Sequence, residues 1–484
     1  GIFRLTAPTG LGKTLSLFAF AAQHCQLYKK RRVILVLPFL AVTEQNGRDY
    51  SAVEPRLLES HSAAELSEEA RGWSERWSAP CIVTTNVGFF EPLFSAKPTA
   101  CRRLHQIANS VIVLDEAQSL PSHLLDATLR TLQTLCRSYG CTVVLSTATQ
   151  PSFEYLPNIN WMPREIVPNP QHLFQVTQRV AYHWRIDRPT PLPQIAAELS
   201  EKNCGCAIFN LRAHAKSLYR QLCQLCGPED VFYLSTDLCT AHRRVVLERV
   251  KSRITQGRRC YLAATQCIEA GVDLDFPLVY RALAPLEAII QAAGRCNRNG
   301  AALTGRVEVF VPDEPRLYPP DGHYEEAANC VAILASRHPV ECSNLDHIKE
   351  YYQLLYSNAK GDDPVLKRAI EQEDFSGVQE AYRLIRSKGV EVIVPFSQQM
   401  ELFQNIQEEY DRFGFTPSLL KKARSLIVSS FYEQEVKDHC IPLWFRSPEG
   451  EKTPVGCYML CDPAFYTDGI GLDFEQTDNI QSIW

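Results

Sequence analysis

At 484 residues the chain is too long for one hydrophobic core, so two or three domains are expected. With 45% hydrophobic and 22% charged residues it has the make-up of a soluble globular protein, and a net charge of −5 excludes the global basic coat of a sequence-blind DNA binder. It contains no apolar run of membrane-spanning length and no signal peptide, and its 18 cysteines suit reduced thiols in the cytoplasm better than a disulfide framework.

Ile2 to Leu5 reads as a buried strand and Leu15 to Cys25 as a helix. Between them runs Ala7-Pro8-Thr9-Gly10-Leu11-Gly12-Lys13-Thr14, which departs from the phosphate-loop pattern only in having Ala7 for the first glycine. A strand, tight turn and helix start would aim backbone N–H groups and a helix dipole at an anion, with Lys13 adding charge and Thr14 a metal-binding hydroxyl. A plain glycine-rich turn is the alternative. A central parallel strand seldom opens a chain and residue 1 is not Met, so an upstream segment is expected. Lys29-Lys30-Arg31-Arg32 reads as a solvated cap at a helix end.

Short apolar runs at Arg32–Leu37, Cys81–Thr84, Ser110–Leu114 and Thr142–Ser146 alternate with helical stretches, the signature of a parallel sheet covered on both faces. After the proline-rich passage 151–170 a second alternation begins, with strands at Cys206–Asn210, Val231–Ser235, Arg259–Ala263, Leu278–Arg281 and Gly305–Val311. Beyond Pro319-Pro320, helices are expected at Glu325–Arg337, Asn344–Tyr356 and Pro364–Gln372, followed by Val390–Val394 and a mixed tail. Cys204 with Cys206, Cys223 with Cys226 and Cys457 with Cys461 have zinc-like spacing, but no second pair stands nearby, so buried thiols are the favoured reading.

The chemistry gathers at strand ends. Val111 to Leu114 lead into Asp115-Glu116-Ala117-Gln118, where Asp115 could hold Mg²⁺ and Glu116 could orient a water; acids at a helix start would look alike. Ser146-Thr147-Ala148-Thr149 ends the next strand, as a simple turn also could. In the second alternation, residues 264–273 close a strand with a turn and Asp273. Gln291-Ala292-Ala293-Gly294-Arg295-Cys296-Asn297-Arg298 then sets two guanidinium groups on one helix face, suited to a transferring phosphoryl group.

In motif order over residues 1–312 the chain resembles superfamily 2 helicases, and within them the CRISPR-associated helicase–nuclease of type I systems. Asp115–Gln118 followed by Ser119-Leu120-Pro121, residues 265–276, and residues 291–300 carry the closer likeness. The resemblance implies two tandem RecA-like α/β parallel-sheet domains, at 1–168 (ATP-binding) and 169–320, then a helical linker at 321–385 and a small accessory domain at 386–484. It gives phosphate and Mg²⁺ binding to Thr9, Gly10, Gly12, Lys13 and Thr14, the metal to Asp115, and the hydrolytic water to Glu116. Coupling falls to Gln118, Ser146 and Thr147. Asp273 and Gln291 would touch ATP, with Arg295 and Arg298 as arginine fingers. The single-stranded DNA track would use Pro38, Thr43, Thr84, Thr85, Asn86, Asn210 and Thr265, with Gln266 and Glu269 as less secure members.

By the same resemblance the engine moves 3′ to 5′ on the displaced strand of an R-loop opened by an RNA-guided, Cascade-like surveillance complex. It would feed an HD nuclease with its own divalent metal. No His-Asp dipeptide occurs here, so that nuclease is expected upstream of residue 1, and His61, His105, His123 and His242 read as surface or helix-terminal residues. Asp115–Gln118 departs from the DEAH spelling in its last residue, which puts the inter-domain contact in doubt but not metal binding. A stand-alone RNA helicase and a dormant ATPase serving as an interaction module are the rivals.

Overall fold

The structure is a computed structural model and describes residues 1–38, 50, 54, 56–60, 77–269, 272–300, 304–320, 322–357, 361–384, 389–446 and 452–474. The chain divides into two compact units. The first holds Gly1–Tyr182, Leu283–Gly294 and Pro319–Arg386; the second holds His183–Ala282, Arg295–Tyr318 and Ser387–Trp484.

Seven strands build the first unit's sheet: β1 (Ile2–Thr6), β2 (Arg32–Leu37), β3 (Leu57–Ser60), β4 (Cys81–Thr85), β5 (Ser110–Asp115), β6 (Thr142–Thr147) and β7 (Arg164–Glu165). Their order is β3-β4-β2-β5-β6-β1-β7 and every pairing is parallel. β2, β5 and β6 are buried at all their positions, as apolar runs must be when helices cover both faces. One cover is the helix Lys13–Leu27, whose Leu17 and Ala21 pack on Val33, Leu35, Val111, Val113 and Val144. Parallel pairing brings the carboxyl ends of β1, β4, β5 and β6 to one edge, where Asp115 lies opposite Ser146 and Thr6 opposite Thr147.

Arg32 is not part of a solvated cap. It is the first residue of β2, is buried, and donates to the carbonyl of Trp77 and the side chain of Gln106. The paired guanidinium fastens the segment around Trp77 to the sheet, which an exposed cation could not do. The helices His323–Arg337, Leu345–Ser357, Pro364–Glu371 and Phe375–Ala381 also belong to this unit. Asp362 accepts from the backbone N–H groups of Asp126 (2.9 Å) and Ala127 (2.8 Å), capping the helix Leu125–Ser138, and Tyr382 stacks on Phe94 with centroids 3.6 Å apart.

The second unit has six strands, β8 (Val180–Thr190), β9 (Cys204–Phe209), β10 (Val231–Leu234), β11 (Cys260–Thr265), β12 (Leu278–Ala282) and β13 (Gly305–Pro312), in the order β10-β11-β9-β12-β13-β8. β9 to β13 pair in parallel. A four-stranded sheet from the tail, β14 (Val390–Ile393), β15 (Ile427–Ser430), β16 (Cys440–Arg446) and β17 (Lys452–Leu460), has the order β15-β14-β17-β16. Its core is continuous with Cys239 and Ala241 of the α/β part. A hairpin, β18 (Tyr466–Thr467) and β19 (Gly471–Leu472), follows.

Two polar clusters join this tail to the α/β part. Lys216, 5% exposed, lies 3.2 Å from Asp237 and 3.2 Å from Asp473. His242, expected at the surface or at a helix terminus, stands in the first turn of the helix Thr240–Thr255 and is buried: its ring nitrogens face the Tyr466 hydroxyl (3.0 Å) and the Asp468 carbonyl (3.1 Å), and the ring stacks on Phe396. The tail covers a helix face that a sequence reading leaves open to solvent. Burial pushes the imidazole down to about 4, against the opposing pull of Asp468 and with help from Arg249.

Candidate nucleotide and nucleic-acid site

The loop between β1 and the helix Lys13–Leu27 turns through two left-handed glycines, Gly10 (φ 84°) and Gly12 (φ 71°). A Cβ would meet nothing within 4 Å at either, so backbone conformation rather than crowding demands glycine there. Gly12 caps the helix, and the first turn carries no acidic side chain to answer the dipole. Lys13 opens the helix. Its Nζ is buried without a hydrogen-bond partner and lies 3.9 Å from Glu116 Oε1. Thr9 and Gly10 are exposed, while Thr14 is half-buried beside Lys13.

β5 delivers the acids. Asp115 is buried and accepts from Ser146 Oγ (2.9 Å) and from the N–H of Glu116 (3.1 Å). Glu116 has φ 50° and ψ 53°, a left-handed backbone that costs a non-glycine residue about 1–3 kcal/mol. Gln118 Nε2 donates to its Oε2 at 2.6 Å. Burial and the charge of Glu116 raise Asp115 to about 6, against the opposing pull of Lys13 and Ser146. Two adjacent carboxylates, a half-buried hydroxyl and an orphaned ammonium at an uncompensated helix start fit a nucleotide phosphate with a divalent cation. Asp115 and Thr14 would be the residues holding the metal.

Beside them, Thr147 Oγ1 accepts from the N–H of Thr149 (3.0 Å), and the Thr147 carbonyl accepts from Ala7 N (3.4 Å), where the phosphate loop begins. Ser146 and Thr147 thus touch the metal acid and the loop respectively. Pro38 directly follows β2 and is half-buried; Thr43 lies outside the described residues. Thr84 Oγ1 donates to the Ser60 carbonyl (2.7 Å), Thr85 caps the helix Asn86–Leu93 by accepting from Gly88 N (3.1 Å), and Asn86 Nδ2 donates to Ser119 Oγ (3.2 Å). All three brace the sheet's carboxyl edge.

In the second unit Asn210, Gln266, Glu269 and Arg295 form one network around a residue the motifs do not flag, Arg281. That side chain has no solvent exposure and contacts Asn210 Oδ1 at 2.7 Å, the Ala282 carbonyl at 2.9 Å and Glu269 Oε1 at 2.9 Å. Gln266 Nε2 donates to the Asn210 carbonyl (3.1 Å). Burial raises Glu269, while Arg281 and Arg295 pull it down. The legible signal was a lone cation inside the apolar β12, which must find a buried counter-charge.

The paired arginines differ. Arg295 is buried, donating to the carbonyls of Ile268 (3.1 Å) and Glu269 (2.5 Å). Arg298 keeps about a third of its side chain exposed and lies 3.3 Å from Asp273, which also meets Lys251 at 3.1 Å. Thr265 ends β11, and its hydroxyl faces Cys267 Sγ at 3.6 Å. Gln291 sits in the helix Leu286–Ala293, which belongs to the first unit. No group of three or more His, Cys, Asp or Glu residues able to hold a metal occurs among the described residues.

Two family models match the chain, "DEAD/DEAH box helicase" over residues 3–155 and "CRISPR-associated nuclease/helicase Cas3, C-terminal" over residues 201–301. Curated relatives include a CRISPR-associated nuclease/helicase Cas3 of Haloferax volcanii, 24% identical over 420 residues, covering 62% of this chain and 45% of that protein. Another, of Methanothermobacter thermautotrophicus, is 25% identical over 335 residues, covering 61% of this chain and 38% of that protein. The chain is similar to Cas3-type helicases in both matched stretches. It spans less than half the length of these two Cas3 relatives. Among solved structures, T. fusca Cas3 with ADP superimposes with a TM-score of 0.66 at 18% identity over 98% of this chain and 69% of that one, showing the shared fold. The match over residues 3–155 places a DEAD/DEAH-box helicase domain in the first unit, around the phosphate loop and Asp115–Gln118. No helix among the described residues is long and apolar enough to cross a membrane.

Proposed function

We propose that the chain is the ATP-driven motor of a CRISPR interference enzyme, translocating 3′ to 5′ along single-stranded DNA. The observation that carries this reading is the Lys13 ammonium at a bare helix start, without a hydrogen-bond partner and 3.9 Å from Glu116 of the Asp115–Glu116 pair. Lys13 and the Gly10–Gly12 backbone would hold the β- and γ-phosphates, Glu116 would orient the attacking water, and Ser146 would keep the Asp115 carboxylate aimed at the metal. A bound Mg²⁺ would supply charge neutralisation at the phosphates. Asp273, Gln291, Arg295 and Arg298 keep the nucleotide-sensing roles that the resemblance gives them, with Arg298 the more accessible finger.

The strand would be the one displaced by an RNA-guided complex. A chain from a structure described as a CRISPR RNA-guided surveillance complex, pre-nicking, matches with a TM-score of 0.59 at 17% identity, covering 97% of this chain, which supports that setting. The fold is also shared with MrfA, a helicase solved bound to DNA, with a TM-score of 0.53 at 13% identity. A nuclease in the longer protein would degrade the strand this motor feeds it. The test is ATP hydrolysis with single-stranded DNA, single-stranded RNA or neither, for the wild type and Lys13→Ala. DNA stimulation that Lys13→Ala abolishes is expected. Stimulation by RNA alone, or undiminished turnover in Lys13→Ala, overturns the reading.

A further inference from the structure

The helix Leu345–Ser357 lies outside every motif, yet it holds three neighbouring tyrosines, Tyr351, Tyr352 and Tyr356, that are 0%, 2% and 7% exposed. Two of them reach in different directions. Tyr351 donates its hydroxyl to Glu287 Oε2 at 2.9 Å, and Glu287 lies in the first turn of the helix Leu286–Ala293, one turn before Gln291. Tyr352 donates to the Thr149 carbonyl at 3.3 Å. Thr149 is no bystander, because its N–H holds Thr147 Oγ1, the Thr147 carbonyl takes the N–H of Ala7, and the neighbouring Ser146 holds Asp115.

Consecutive residues on a helix point about 100° apart, so one rigid segment can brace two targets at once. All these residues lie within the first unit. Burial and the charge of Glu287 push both phenols well above their ordinary range, so both hydroxyls remain donors across the working pH range. Tyr356 contributes ring contacts, stacking on Tyr352 with centroids 5.5 Å apart and on Phe153 at 6.0 Å.

We infer that Tyr351 and Tyr352 are positioning residues for ATP hydrolysis: through Glu287 and Thr149 they hold the Gln291 helix and the Ser146–Thr149 turn in fixed register with Asp115 and the phosphate loop. In this assignment both act through their hydrogen-bond partners and not on the nucleotide itself. Their loss therefore leaves ATP affinity alone and loosens the alignment on which the chemical step depends, since small misplacements of reacting groups are costly.

This inference rests on the hydrolytic reading above, and the experiment separates the two. Steady-state ATP hydrolysis with saturating single-stranded DNA is measured for the wild type, Tyr351→Phe, Tyr352→Phe, Glu287→Gln and Tyr356→Phe, with melting temperatures for each. Tyr352→Phe, which loses a neutral hydrogen bond, is expected to lower kcat about fivefold, and Tyr351→Phe, which loses one to a carboxylate, about tenfold, with KM for ATP within about twofold in both. Tyr351→Phe combined with Glu287→Gln should lose no more than Tyr351→Phe alone, because a glutamine amide oxygen can still accept from Tyr351, so Glu287→Gln only weakens the bond that Tyr351→Phe removes. Tyr356→Phe should match the wild type. A wild type without DNA-stimulated turnover defeats the hydrolytic reading. A stimulated wild type whose kcat Tyr351→Phe and Tyr352→Phe share overturns this inference alone, as does a kcat loss that simply tracks melting temperature across all four variants.

Discussion

Replacing Arg281 with alanine probes the second unit's buried network most directly. The substitution strips Glu269, whose side chain is 8% exposed, of its 2.9 Å partner and leaves Asn210 Oδ1 without its 2.7 Å donor. Breaking a buried pair from one side costs about 3–5 kcal/mol, because a charge is left without an answer in a medium that solvates it poorly. For a body of this size each kcal/mol moves the melting point by about 2–4 °C, so the second unit's transition should fall by about 6–20 °C. Arg281→Met with Glu269→Leu, which removes both charges, should recover most of that loss. Differential scanning calorimetry of the whole chain reads both. A loss below about 1 kcal/mol in Arg281→Ala, or a double variant no more stable than the single, would refute the reasoning that desolvation dominates here.

The two motif arginines should part company. Arg295→Lys cannot reproduce the contacts to the Ile268 and Glu269 carbonyls and should lower the melting temperature, whereas Arg298→Ala should leave it within about 1 °C while cutting DNA-stimulated turnover about a thousandfold. Parallel calorimetry and turnover assays decide this, and identical profiles would contradict it. His242 gives a pH signature. Its folded-state value, about 4, lies below the ordinary 6.5, so the unfolded chain binds the proton first and stability falls as the pH drops from 6.5 towards 4. The loss should reach about 3 kcal/mol, and His242→Gln should flatten that slope in urea titrations run at several pH values. Asp115 has the opposite sign, being raised to about 6: its ionised form costs stability as the pH climbs from 3.8 through 6. Asp115→Asn should therefore stabilise the metal-free protein above pH 6 in the same titrations, and no gain there counts against that assignment.

The strand ends were the legible part. Asp115, Ser146 and Thr147 stand where apolar runs stop, and a parallel sheet gathers those stops on one edge, so local pattern sufficed to bring them together. β8 escaped notice because Val180–Thr190 mixes charges and Pro189 with its apolar residues, as an outermost strand tolerates. β7 is only two residues long. The burial of Arg32 and His242 escaped for a different reason: their partners, Trp77, Gln106, Tyr466 and Asp468, are far away in sequence, and a polar residue at a helix end or strand start shows by itself neither its burial nor its partner. Arg281 differs in part: its place inside the apolar β12 signals burial, while its partner Glu269 does not show in the local pattern. The resemblance named the track residues Thr84, Thr85 and Asn86, while only the coordinates show how much of their hydrogen bonding is spent within the sheet edge.

Lys216 and Asp473 have a practical consequence. A lysine 5% exposed, held between Asp237 and a carboxylate 257 residues further along, makes the tail a covering layer of the second α/β body and not a detachable appendage. A shortened chain ending near Phe310 would keep every helicase motif and still expose that ammonium, Cys239 and the ring of His242. Motif content alone is therefore a poor guide to where this motor can be cut, and recombination partners or truncation endpoints should be chosen beyond Phe474.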